Sequence, residues 1–152
     1  MIKYNILFLL LLSCASLVAN GQQQQSHMIM PFLKAVSNNM ENSDQIIEKY
    51  ICYEQRETAD EKAKGNYELL KMSIEELRPL LKPHHIDSLD IIAYKDLPME
   101  ECDIITADKD AENIYVVKTG TKRLLSILIK NEKIGSFIAL RKGDRRFFLL
   151  FC

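Results

Sequence analysis

Apolar positions along the chain follow three regimes. Ile6 to Leu12 is an unbroken apolar run behind Lys3, closed by the small residues Ala19-Asn20-Gly21. That order of charge, apolar stretch and small-x-small site is the pattern of a secretory signal peptide, and the run is too short to span a bilayer. From about residue 31 the spacing becomes helical. Phe32, Val36 and Met40 share one face, and Pro31 suits a first helical position. Ile46, Ile47, Tyr50 and Ile51 form the stripe of a second helix for which Ser43 is the expected N-cap. A charged stretch from Thr58 to Lys64 reads as a solvated helix face. Beyond Gly65, Tyr67, Leu69, Leu70, Ile74 and Leu77 resume the helical spacing, with Ser73 to Glu76 as a capping box and Pro79 as a kink or stop.

From Ile86 the period falls to two. Strands are expected over Leu89–Tyr94, Ile114–Lys118, Leu124–Lys130, Ile134–Arg141 and Arg146–Phe151, with a short one at Ile104-Ile105 in the acidic connection. Turns are marked by Gly120, by Asn131-Glu132 and by Lys142-Gly143-Asp144. The pattern predicts an α+β fold, N-terminal helices packed on a curved antiparallel sheet of four to five strands. The expected organisation is a signal peptide over 1–21, a disordered polar tether over 22–28 containing the glutamine run, and a single α+β domain over 29–152. This order of elements is similar in architecture to cystatin-like and nuclear-transport-factor-like domains, a likeness that carries no function with it. The strands are apolar on both faces: Leu125, Ile127 and Ile129 oppose Leu124 and Leu128. Helices cover one face, so a pocket or a second subunit is expected on the other.

Charge changes the picture more by its distribution than by its total. Residues 41 to 112 carry 19 acidic and 9 basic side chains, a net charge of −10, and residues 113 to 152 carry 9 basic and 2 acidic, a net charge of +7. Acidic helices lying across a basic sheet account for this pattern, and a basic surface for an anionic partner is the alternative. The near balance over the whole chain gives no argument for nucleic acid.

Cleavage after Gly21 leaves Cys52, Cys102 and Cys152, an odd number, in a compartment where disulfides persist. Cys52 is expected as a buried thiol and Cys152 as a site for an intermolecular bridge. The competing route uses Leu11-Leu12-Ser13-Cys14, which resembles a bacterial lipobox; Cys14 would then carry lipid and hold the domain at a membrane.

Catalytic chemistry is poorly marked. His84-His85 are adjacent, so regular strand geometry would send them to opposite faces. Cys102 stands between Glu100-Glu101 and Asp103, carboxylates that disfavour a thiolate. Asp108-Lys109-Asp110 with Glu112 lacks the glycine and spacing of a calcium loop. There is no GxSxG, P-loop, GxGxxG or HExxH motif, so no catalytic residue, metal or cofactor is expected. The expectation is an exported binding or interaction module, with Phe137, Phe147 and Phe148 and the basic turn of Arg141, Lys142, Arg145 and Arg146 as contact candidates. Its partner would be a protein, a small apolar ligand or a second copy of the chain. A small enzyme or ligand carrier with a pocket in the concave face of the sheet is the alternative.

Overall fold

A computed structural model describes residues 27–38, 41–53, 61–106 and 108–152, without the side chains of 61–64 and 108–109. The leader, Cys14 and most of the polar tether lie outside the described residues, as do Met40 and Thr58. Helix α1 (Ile29–Ser37), α2 (Ser43–Tyr50) and α3 (Glu61–Leu81) precede β1 (Asp90–Ala93). A short α4 (Asp108–Ala111) separates β1 from β2 (Ile114–Thr119), β3 (Lys122–Lys130), β4 (Lys133–Ser136), β5 (Ala139–Lys142) and β6 (Arg145–Phe148). The antiparallel strands form a four-stranded sheet in the order β1-β2-β3-β4 and a separate β5-β6 hairpin. The class is α+β with the helices N-terminal, as the pattern predicts.

The helix boundaries correct the sequence in three places. Helix α1 begins two residues before Pro31, which therefore sits in the first turn, where its missing N–H has no helical acceptor to lose. Asn42, not Ser43, is the N-cap of α2. Asn42 accepts from the Gln45 N–H and the Gln45 side chain accepts from the Asn42 N–H, a reciprocal capping box. Ser43 instead donates its hydroxyl to Glu75 on α3. Helix α3 runs through both Gly65 and Pro79. Ser73 is interior to it and bonds back to the Leu69 carbonyl at 2.8 Å, so the expected capping box is not a helix start. Pro79 falls in the last turn, where only one helical bond is forfeited.

Leu70, Ile74, Leu77 and Leu81 of α3 join Phe32, Leu33, Ile46 and Ile47 over one face of the sheet, meeting Tyr115, Val117, Leu125, Ile127 and Ile129. Arg78 ties the helical layer together. Its guanidinium donates to the carbonyls of Val36 at 2.8 Å and Glu41 at 2.7 Å, at the C-terminal end of α1 and the loop that follows.

The other face of the sheet is covered by the chain's own connection. Tyr94, Leu97 and Ile104 close over Ile114, Val116 and Leu128, with Phe148 packed against them. The Tyr94 hydroxyl accepts from the Ile104 N–H at 2.7 Å, which pins the connection in place. The expectation of a pocket or second subunit on this face is corrected: residues 94–104 fill it. The acidic connection also supplies the counter-charge, the role first read onto the helices. Lys118 meets Glu101 at 3.0 Å, and Asp103 receives both Arg123 at 2.6 Å and Arg146 at 3.0 Å.

The strand expected over Ile134–Arg141 is two strands in two sheets. At the break, Ser136 is fully buried; its hydroxyl donates to Leu149 O at 2.6 Å and accepts from the Ile138 N–H at 3.3 Å. The side chain replaces the ladder bonds as the chain changes sheet. Ile104-Ile105 contributes a bridge rather than a strand, Ile104 pairing parallel with Arg146. The Asn131-Glu132 turn holds both residues at positive φ (51° and 60°), the two-residue hairpin geometry expected there. Gly135 is fixed by a close approach: a Cβ there would come 2.7 Å from the Lys130 Cβ.

Cys52 and Cys152 form an intramolecular disulfide, with Cα atoms 5.8 Å apart and a sequence separation of 100. This corrects both cysteine expectations. The Cys52 N–H bonds to Ile134 O at 2.9 Å and the Phe151 N–H to Gly135 O at 3.2 Å, so both cysteines are delivered to the outer edge of β4. Cys102 is the free thiol among the described residues, half-buried beside the Pro98 carbonyl.

Candidate interaction surface

The β5-β6 hairpin gathers most of the residues the sequence marks, and its register sorts them. Leu140 pairs with Phe147, Arg141 with Arg146, and Lys142 with Arg145 across the Gly143-Asp144 turn. Gly143 takes φ +65°, a conformation that a side chain would strain. Alternation puts Leu140, Phe147, Lys142 and Arg145 on one face and the Arg141–Arg146 pair on the other.

The inward set is spent on structure. Arg146 pairs with Asp103, and Phe148 packs against the second cluster. Phe137, just before the hairpin, belongs to the main core, stacked 5.5 Å from both Phe32 and Phe151. Arg141 is exposed, with its Nε donating to Gly143 O at 2.8 Å within the turn. The outward set is open. Phe147 is 38% exposed and Leu140 42%. Lys142 and Arg145 are exposed and make no ion pair or side-chain hydrogen bond among the described residues. Ile105 follows the bridge partner of Arg146 and is 56% exposed, which extends the apolar row by one strand.

Two consecutive cross-strand pairs of like charge are unfavourable in an isolated hairpin. Asp103 relieves one of them, through Arg146. On the outer face no acidic side chain among the described residues pairs with Lys142 or Arg145, and Asp144 in the turn makes no ion pair among them either. Leu140 was not marked from the sequence. The signal was there, since a two-residue turn at Gly143-Asp144 fixes Leu140 opposite Phe147.

Elsewhere the candidate chemistry stays dispersed. His84 and His85 lie in the connector between α3 and β1. No group of three or more His, Cys, Asp or Glu among the described residues is arranged to hold a metal ion. A cavity of about 900 Å³ wraps the β3-β4 turn, where Leu128 and Leu150 meet Asp110, Lys130 and Glu132. A second, of about 440 Å³, lies between α3 and the strands at the open side of β3. Both clefts therefore sit at the rim of the sheet. No described helix is long and apolar enough to cross a membrane. Comparison with protein-family models, curated proteins and solved structures returned no match.

Proposed function

We propose that the chain is an exported, non-enzymatic interaction module whose contact surface is the outer face of the β5-β6 hairpin. The observation that carries the reading is the pairing of two exposed apolar side chains, Leu140 and Phe147, with two cations, Lys142 and Arg145, that have no counter-charge among the described residues. A partner with an acidic, partly apolar surface would bury the first pair and relieve the repulsion of the second. Export is supported by the leader pattern and by the Cys52–Cys152 disulfide, a bond that persists in oxidising compartments.

Two measurements test it. Intact mass of the chain from its producing cell should show a start at Gln22, or a lipid-bearing Cys14 if the lipobox is used; an uncut chain starting at Met1 contradicts export. A photo-cross-linking residue placed at Phe147 in the producing cell should give a discrete adduct, lost on Lys142→Glu with Arg145→Glu. An adduct that survives both charge reversals would sink the contact surface proposed.

A further inference from the structure

Strand β4 pairs with β3 only across Leu128, Ile129 and Lys130. After Ser136 the chain leaves for the hairpin, so among the described residues no strand lies beside β3 from Arg123 to Ile127 on the side facing away from β2. The outer edge of β5 likewise has no partner strand among the described residues. The 440 Å³ cleft lies between these two edges, with β3 on one side, Phe137, Ile138 and Ala139 on the other, and α3 above. Ser126 lines it. That residue is 3% exposed, and its side chain makes no hydrogen bond to another described residue. Open strand edges are ordinarily covered.

We infer that this cleft is a strand-addition site, taking an extended peptide segment alternating apolar and acidic residues along the open edge of β3. The two walls dictate the alternation. On the helix side the cleft meets Leu77, Leu80 and Phe137, with Leu80 38% exposed. On the opposite side it meets Arg123 and Arg146, two guanidinium groups that share the carboxylate of Asp103, while the cleft's own carboxylate, Glu76, stands on the helix side. Successive side chains of an added strand point to opposite sides, so one set would enter the apolar wall and the other would face the arginines. Main-chain bonds to β3 would supply affinity. The site goes beyond the hairpin's outer face and does not depend on it.

The test uses the disulfide-bonded chain from Gln22 and two labelled eight-residue peptides, one alternating valine with aspartate and one alternating valine with lysine. The acidic peptide should bind saturably by fluorescence anisotropy, at least about tenfold tighter than the basic one. It should also slow amide hydrogen exchange at Arg123 to Ile127. Ser126→Phe, which fills the cleft, should reduce binding at least about tenfold. Leu80→Asp, an exposed rim position that leaves the fold intact, should reduce it several-fold, and Arg146→Gln should narrow the preference for acid. Leu140→Ser with Phe147→Ser should leave peptide binding unchanged, which separates this site from the hairpin face. Equal binding of both peptides, exchange protection confined to the hairpin, or a homodimer that protects the same amides without peptide would each overturn the proposal.

Discussion

The four-stranded sheet and the β5-β6 hairpin are built from the same materials, apolar strands carrying Lys and Arg, and they end in opposite states. In the sheet, Lys118 and Arg123 are held by Glu101 and Asp103, and both faces are filled. In the hairpin only the inner face finds such partners, and Leu140, Phe147, Lys142 and Arg145 remain open. The difference lies in reach. The connection from Tyr94 to Thr106 crosses the second face of the sheet and stops at the edge of β6, where Ile104 bridges Arg146. Basic charge in a strand is thus a structural resource where an acidic segment lies over it and an available surface where none does.

The comparison can be broken most severely at the anchor that holds the hairpin's return strand to the sheet. Closing a loop of about 100 residues is worth roughly 4–5 kcal/mol in the chain-entropy account. Cys52→Ser with Cys152→Ser should therefore lower unfolding stability by up to about 4 kcal/mol in urea melts, with exchange rising first along the C-terminal strand. A loss below about 1 kcal/mol would mean the hairpin is held by packing alone.

Next in size is the charge contrast itself. Asp103→Asn strips the counter-charge from two partly buried guanidinium groups and should cost about 2 kcal/mol. Lys142→Ala or Arg145→Ala should stay within about 0.5 kcal/mol or stabilise, because each removes a like-charged neighbour. Equal costs at the two places would erase the distinction drawn between sheet and hairpin.

The turns sharpen the same contrast at smaller scale. Glu132 sits at φ 60° without needing a side chain there, so Glu132→Gly should stabilise by about 0.5–1 kcal/mol in thermal melts. Gly143→Ala, at φ +65°, should destabilise by about 1 kcal/mol.

The smallest effect lies in the helical layer. Burial first, and then its hydrogen bond to Asp44, push the Tyr67 hydroxyl up to about 12. A pKa raised by folding contributes stability that is complete below the unfolded value near 10 and is lost as pH rises through the folded one. Spectrophotometric titration should show a late-ionising tyrosine between pH 10 and 12 that moves earlier in Asp44→Asn.

Much of this architecture was readable from spacing. The period change at Ile86, the Asn131-Glu132 turn and the strand limits near Ile114 and Lys130 follow from local patterns. The break at Ser136 does not, because Ile134 to Arg141 keeps an apolar pattern straight through it; only the distant Leu149 carbonyl tells Ser136 what to do. Pro79 and Ser73 misled for the complementary reason. Their local signals are real, but α3 is held by its core stripe. The seven contact candidates divided in the same way. Phe137, Phe148 and Arg146 are claimed by partners far away in sequence, Phe32, Leu128 and Asp103 among their surroundings; Arg141 bonds only within its own turn, to Gly143, and Lys142, Arg145 and Phe147 have no such distant partner among the described residues. The cysteine pairing was unreadable because three cysteines allow three pairs.

The central claim, that the outer face of the hairpin is where this chain meets its partner, is tested most directly by comparing two exposed apolar residues. Met99 is 89% exposed but stands outside the hairpin face, whereas Phe147 is 38% exposed and sits beside Leu140, Lys142 and Arg145. Photo-cross-linkers placed at each position, in separate chains expressed in the producing cell, should yield a discrete adduct from position 147 and none from position 99. Adducts from position 99 alone, or equally from both, would contradict the account.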